Sequence, residues 1–136
     1  MNLDGKVAIV TGGSRGIGRA VCVGLGARGV KVVVAARTEA DTSAGRPSVR
    51  FGSGTIGDTA GRIFRAGGAA LAVRCDVTEA DDLRRLVEAT LDRFGRLDIV
   101  VANAGVDCES PVVDLDVGLL HRCLSVNVRG PLLLCK

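Results

Sequence analysis

The sequence has no Tyr and no Trp, and three Phe are its only aromatic residues, 2% of the 136. Proteins that hold single-stranded nucleic acid do so largely by stacking bases on aromatic side chains, so this shortage argues against a nucleic-acid partner. The single His and the lack of a Cys-x-x-Cys pair argue against a metal site. Apolar residues nevertheless make up 47%, so we expect a packed core of aliphatic side chains.

Long apolar runs are also missing. The start, MNLDGKVAIVTGG, has no signal-peptide pattern, and no stretch approaches the length that crosses a membrane, so we expect no membrane association. The net charge of +3 is spread along the chain, which is typical of a solvated surface. An odd number of cysteines predicts reduced, mostly buried thiols in a cytoplasmic protein. They are Cys22, Cys75, Cys108, Cys123 and Cys135.

Apolar β-branched runs alternate with helical patterns along the chain. Strands are predicted at 6–11, 31–36 and 70–77, and 97–105 contains the fourth strand and its exit. Helices are predicted at about 16–28, at 59–68, after 78 and from about 116. Residues 38–57 are predicted to form a long loop, and Thr78 with Asp81 fits a capping box. This order is typical of an α/β fold, a doubly wound parallel sheet with helices on both faces.

The last predicted helix is apolar on several sides, so we expect it to be deeply buried. It contains Asn127 four residues before Pro131. Because proline has no N–H, the carbonyl of Asn127 cannot accept the usual helical hydrogen bond. The carbonyl and the side-chain amide both need partners. A functional role and a simple kink with a water in the gap explain the pattern equally well.

Three glycine patterns are candidates for binding a phosphate. GLGARG (24–29) ends a predicted helix, and GSGTIG (52–57) lies in the long loop, so both are interpreted as turn and cap glycines. TGGSRGIG (11–18) follows the first strand and opens the first helix, where free N–H groups can face phosphates. In it Gly12 permits the turn, Gly16 admits the pyrophosphate, and Gly18 lets the helix pack on the sheet.

The same stretch also fits the Gly-x-Ser-x-Gly elbow of serine hydrolases. That alternative would make Ser14 the nucleophile and His121 the base. It is weakened because a hydrolase elbow normally follows several strands, whereas this one follows the first, and because no HGGG-type segment is present.

TGGSRGIG, CDVT, ANAG and SVNVRG, in this order and at these distances, resemble the short-chain dehydrogenase/reductase family from residue 3 to residue 136. The resemblance implies a Rossmann-type sheet with strands in the order 3-2-1-4, incomplete beside the family's full sheet. It implies a nicotinamide dinucleotide cofactor and oxidation or reduction of an alcohol or carbonyl substrate. It also implies that Asp76 and Val77 bind adenine, that Asn103, Ala104 and Gly105 line the cofactor site, and that Asn127 is catalytic.

Arg37 ends the second strand, where an acid would select NAD by binding the ribose hydroxyls. A guanidinium there can pair with the 2′-phosphate of NADP, and Arg15 can add a second charge. We therefore expect NADP, with NAD possible, bound through Gly12, Ser14, Arg15, Ile17 and Arg37.

The family's other catalytic residues are a Ser and a Tyr-x-x-x-Lys pair, and this chain has no Tyr. We therefore expect residues 1–136 to be one dinucleotide-binding domain that ends before the catalytic Ser, Tyr and Lys. A non-catalytic dinucleotide-binding module and an inactive truncated product are the alternatives. An unpaired fourth strand and an apolar last helix predict a homo-oligomer or an aggregation-prone chain.

Overall fold

A computed structural model describes residues 2–39 and 54–136, and within them four parallel strands form one sheet in the order β3-β2-β1-β4. The strands are β1 Val7–Thr11, β2 Lys31–Ala36, β3 Ala70–Arg74 and β4 Ile99–Val101. The helices are α1 Gly16–Gly26, α2 Ile56–Arg65, α3 Ala80–Phe94, α4 Val117–Leu124 and α5 Gly130–Cys135. The predicted doubly wound parallel sheet is confirmed. No helix among these residues is long and apolar enough to cross a membrane.

Alternate residues of the strands supply two separate cores, one on each face of the sheet. On one face, Val10 and Val34 pack with Cys22 of α1 and Ile63 of α2. On the other face, the sheet meets α3 and the last helical segment, with Ile9, Val33, Leu86 and Leu134 buried together. Because both faces are covered, the middle residues of the strands are apolar, as the sequence predicts for a parallel sheet.

Two predicted boundaries near α2 and α3 are wrong. Helix α2 begins at Ile56, so the end of the predicted 38–57 loop is helical; residues 40–53 of that loop lie outside the described part. The capping box is made by Thr55 and Asp58, whose side chains each bond the other's backbone N–H at 3.0 Å. Thr78 does not cap α3, because its hydroxyl and its N–H both bond Asp76. Strands β3 and β4 are also shorter than the predicted ranges, although Cys75 N–H still donates to the Ala36 carbonyl just beyond β3.

The apolar pattern of the last helical segment predicted that it would be deeply buried, and this prediction is wrong. Leu124 and Val128 are 50% exposed and Leu132 is 68% exposed, because only one side of the segment meets the sheet. It is also divided by a π-helical turn at Ser125–Arg129, in which Gly130 N–H donates to the Ser125 carbonyl. Pro131 lacks the N–H that an α-helix would need at this point, and the wider turn accommodates that loss.

The expectation of five reduced thiols is also wrong for one pair. Cys108, in the segment after β4, forms a disulfide with Cys123 of α4. Cys22 and Cys75 are buried free thiols, as expected, whereas Cys135 is exposed. The disulfide attaches the segment after β4 to α4 near Asn127.

Candidate functional site

A cleft of about 260 Å³ lies where the carboxyl ends of the strands meet the start of α1. All twelve residues predicted to bind the cofactor line it. They are Gly12, Ser14, Arg15, Gly16, Ile17, Gly18, Arg37, Asp76, Val77, Asn103, Ala104 and Gly105. In open α/β sheets this end of the strands is where ligands bind.

The turn between β1 and α1 has a backbone that side chains would not tolerate. Gly12 and Gly16 have φ values of 68° and 55°, a left-handed region that favours glycine. A Cβ on Gly18 would overlap the carbonyl oxygen of Gly12 and the amide of Asn103. Three glycines therefore bring the start of α1 close to the end of β1, with its first N–H groups at the cleft.

Polar side chains join β1 to the segment after β4 beneath this turn. Asn103 Nδ2 donates to the Thr11 carbonyl at 2.9 Å, and Ala104 N donates to Thr11 Oγ1 at 3.1 Å. The side-chain amide of Asn103 is thus used to hold the end of β1. Asn103 lines the cleft as predicted, but its amide nitrogen points away from the cleft, toward the end of β1.

The opposite wall of the cleft carries a pair of opposite charges. Arg37 Nη1, just after β2, lies 3.9 Å from Asp76 Oδ2, just after β3. Burial alone would raise the pKa of Asp76, but hydrogen bonds from Thr78 and the charge of Arg37 lower it below its ordinary value. Asp76 N–H in turn donates to Asp82 Oδ2 at 2.8 Å. Asp76 is therefore a carboxylate held in place from both sides.

Cys75 lies between these charges and the sheet. Burial, followed by the charges of Asp82 and Asp76, raises the pKa of its thiol to about 11. A thiol with such a pKa is protonated at neutral pH and is a poor nucleophile. Cys75 is a neutral part of the wall.

Asn127 lies in the π-helical turn beside the cleft and is exposed, although the sequence predicted a buried residue. Its side chain pairs with the backbone of Val106, accepting from the N–H at 2.9 Å and donating to the carbonyl at 2.7 Å. A second hollow beside it is lined by residues 104–107 and by Asn127, so it adjoins the cleft along Ala104 to Val106.

The residues of the hydrolase alternative are not brought together. Ser14 is 4% exposed and lines the cleft, whereas His121 lies on the outer side of α4 in a groove with Leu124 and Leu132. None of the described residues lines both places.

Sequence reasoning missed five residues that also line the cleft. They are Ala36, Thr38, Cys75, Val106 and Val126. Val126 comes from a helical segment far along the chain and directly precedes Asn127, which was predicted. Ala36, Thr38, Cys75 and Val106 each adjoin a residue that was predicted, so a wider window around each strand end would have found them.

Comparison with known proteins supports this geometry. The model of the short chain dehydrogenase family matches residues 6–136. An uncharacterized oxidoreductase of Methylorubrum extorquens is 40% identical over 96% of this chain and 48% of its own length. A 3-oxoacyl-[acyl-carrier-protein] reductase of Synechocystis is 34% identical, over 98% of this chain and 49% of the relative.

Among solved structures, a variant of a short-chain dehydrogenase/reductase of Serratia marcescens superposes with a TM-score of 0.84 at 34% identity. The match covers 99% of this chain and 50% of that one. The fold is of the Rossmann type, and the cleft lies at the carboxyl ends of its strands. The chain belongs to the short-chain dehydrogenase family and spans about half the length of the curated relatives it matches.

Proposed function

We propose that this chain is the cofactor-binding half of an NAD(P)-dependent oxidoreductase that acts on an alcohol or carbonyl substrate and prefers NADP. The observation that carries the proposal is the turn at Gly12–Gly18, where a Cβ on the last glycine would overlap the Gly12 carbonyl oxygen. A turn this tight opens the first N–H groups of α1 to the cleft, which suits a pyrophosphate. The reductase named among its relatives supports the reaction class.

The lining residues include groups suited to each part of such a cofactor. The amides of the turn would hold the pyrophosphate, and Asp76 with Val77 would hold the adenine. Arg37 and Arg15, both exposed at the cleft, would hold the 2′-phosphate of NADP. When bound, the nicotinamide supplies or accepts the hydride.

Asn127 is proposed as a catalytic residue through its main-chain carbonyl, which Pro131 leaves without its usual helical donor. A water on that carbonyl can relay a proton. The final proton transfer needs an acid such as the family's Tyr, and this sequence has no Tyr. We therefore propose that residues 1–136 bind the dinucleotide without turning over substrate, as a non-catalytic module or an inactive product would also do. A cytoplasmic location and self-association complete the proposal.

Calorimetric titration with NADP⁺ and NAD⁺ tests the cofactor assignment. The unmodified chain should bind NADP⁺ more tightly, and Arg37→Asp should reverse the order, because the new carboxylate repels the 2′-phosphate and accepts from ribose hydroxyls. Arg65→Asp, which makes the same charge change on the exposed end of α2, should leave the order unchanged. Tighter NAD⁺ binding by the unmodified chain would show the preference to be wrong.

A second assay separates binding from catalysis. Across a panel of ketones and alcohols with NADPH or NADP⁺, residues 1–136 should show no rate above buffer. Turnover by the chain would contradict the proposal that residues 1–136 bind the dinucleotide without turning over substrate.

A further inference from the structure

A buried polar pair supports the glycine-rich turn from behind. Thr59, on the first turn of α2, is fully buried, and its Oγ1 lies 2.9 Å from the Gly13 carbonyl oxygen. Arg19 Nε of α1 donates to the same hydroxyl at 3.1 Å. The Arg19 guanidinium also donates to the Ser14 carbonyl oxygen. Two consecutive carbonyls of the turn are therefore held by side chains that do not line the cleft.

The donor and acceptor roles in this pair are fixed. Arg19 can only donate, so the Thr59 hydroxyl accepts from it and keeps one proton to give. Three carbonyl oxygens surround that proton, those of Gly13 at 2.9 Å, Thr55 at 3.3 Å and Ser14 at 3.5 Å. Gly13 is the nearest acceptor, and Arg19 already serves Ser14. The hydroxyl therefore restrains the Gly13 carbonyl.

These restraints determine where the neighbouring N–H groups point. A trans peptide unit is planar, with its C=O and N–H in opposite directions. Holding the carbonyls of Gly13 and Ser14 toward α2 directs the N–H groups of Ser14 and Arg15 the other way, toward the cleft that these residues line. We propose that Arg19 and Thr59 are positioning residues, which aim the amides of the turn at the cofactor's pyrophosphate. This inference rests on the proposed function.

The start of α2 is built to hold this pair. The Thr55–Asp58 capping box fixes the first turn of α2 and thereby the position of Thr59. A Cβ on Gly54 would overlap Arg19 Nη2 and would lie 2.9 Å from the Ser14 carbonyl oxygen. A side chain at Gly54 would thus displace the guanidinium. Helix α2 contributes no residue to the cleft, and Arg19 and Thr59 connect it to the glycine-rich turn.

The experiment uses the 136-residue chain and the variants Thr59→Val and Thr59→Ser. Valine has the shape of threonine without its hydroxyl, whereas serine keeps the hydroxyl. The probes are NADP⁺, NAD⁺ and adenosine, which has no pyrophosphate. NMR order parameters of the Gly13, Ser14 and Arg15 amides are measured on the free chain.

Thr59→Val should weaken both dinucleotides by roughly tenfold, the size expected when one buried hydrogen bond is lost. Adenosine affinity should stay unchanged, the order parameters of the turn should fall, and Thr59→Ser should restore both properties. Arg19→Lys, which replaces the rigid guanidinium fork by a single rotatable ammonium, should show the same pattern if Thr59→Val does not fold. Its control is Arg28→Lys, because the Arg28 guanidinium bonds the Gly24 carbonyl near the far end of α1, away from the cleft.

Unchanged dinucleotide affinity with an unchanged turn would overturn the inference. So would an equal loss of adenosine binding, since that would reveal a general structural defect. If the unmodified chain binds no dinucleotide, the proposed function fails, and the order parameters of the free chain still decide whether Arg19 and Thr59 restrain the turn.

Discussion

Arg37 Nη1 lies 3.9 Å from Asp76 Oδ2, so the cation that follows β2 and the acid that follows β3 face each other across the end of the sheet. The Arg37 side chain is 57% exposed and that of Asp76 is 28% exposed. The two residues were assigned to different parts of the cofactor, the 2′-phosphate and the adenine. Their proximity couples the two assignments, because a 2′-phosphate must compete with Asp76 for Arg37.

Removing the acid should therefore increase the preference for NADP. In Asp76→Asn, the ratio of the NAD⁺ dissociation constant to that of NADP⁺ should rise about two- to fivefold, the range expected for a largely exposed ion pair. Both cofactors carry adenine, so any loss of adenine binding cancels in the ratio. Asp81→Asn, which removes an exposed acid paired with Arg84, should leave the ratio unchanged. A falling ratio would mean that Asp76 holds Arg37 in place for the phosphate.

Gly18→Ala should destabilise the chain and abolish dinucleotide binding. The new methyl group would overlap the Gly12 carbonyl oxygen, and overpacking of this kind costs about 1–3 kcal/mol. Gly24→Ala is the matched control on the same helix, since the nearest atom to its Cβ is Arg28 Nη1 at 3.6 Å. It should stabilise the helix by about 0.5–1 kcal/mol. Urea unfolding and calorimetry measure both effects, and wild-type affinity in Gly18→Ala would show that the turn is not the phosphate site.

The fold and the glycine-rich turn could be predicted because their signals are local, whereas Asp76, Val77 and residues 103–105 were predicted from the family resemblance. The apolar run at β1 and the glycines after it specify a strand, a turn and a helix start within a dozen residues. The Arg19–Thr59 pair could not be predicted, since the two residues are 40 apart in sequence and meet only when α1 packs beside α2. The burial of the last helix was predicted wrongly because an apolar pattern does not show whether a neighbour covers it.

Stability should depend on Asp98 below neutral pH. Hydrogen bonds from Arg96 and from Val7 N–H, with the charges of Arg96 and Lys6, lower the pKa of Asp98 from 3.8 to about 2. A carboxyl group whose pKa is lower in the folded chain stabilises the folded state at a pH above its unfolded-state pKa. That contribution is lost as the pH falls through the folded-state pKa. The free energy of unfolding should therefore drop between about pH 4 and pH 2.

Asp98→Asn should remove this part of the pH dependence, as measured by urea unfolding from pH 7 to pH 2. The exposed acid Asp92 of α3 provides the control variant, Asp92→Asn, which should keep the drop. A wild-type profile in Asp98→Asn would show that other carboxylates cause the acid sensitivity.

A disulfide and a pair of hydrogen bonds attach the segment after β4 to the last helical segment. We expect each attachment to hold the segment when the other is lost. The first is the Cys108–Cys123 disulfide, and the second is the pair of hydrogen bonds between Asn127 and Val106. Cys123 and Asn127 are one helical turn apart. Reduction alone, or Asn127→Ala alone, should increase amide exchange at Val106 modestly, whereas the two together should increase it by more than the product of the single effects.

Hydrogen exchange with and without dithiothreitol measures this coupling. Cys135→Ser, which changes an exposed free thiol, should behave as the unmodified chain in both conditions. Multiplicative effects would show that the disulfide and the Asn127 pair hold the segment independently.

The chain should associate with rising concentration through the exposed side of its last helical segment. Leu124, Val128 and Leu132 form an apolar stripe that lines one groove with His121 and Leu133. Strand β4 adds a second hazard, since it is an outer strand of the sheet in the described residues and has a free edge.

Light scattering should give a mass above 14.0 kDa that rises with concentration. Replacing both Val128 and Leu132 by Lys should lower it toward the monomer, because two buried cations would oppose contact between apolar stripes. Val113→Lys is the control, since Val113 is 91% exposed in the turn at Val112–Asp114, away from this groove. A clean monomer of the unmodified chain at high concentration would show that the stripe stays in water.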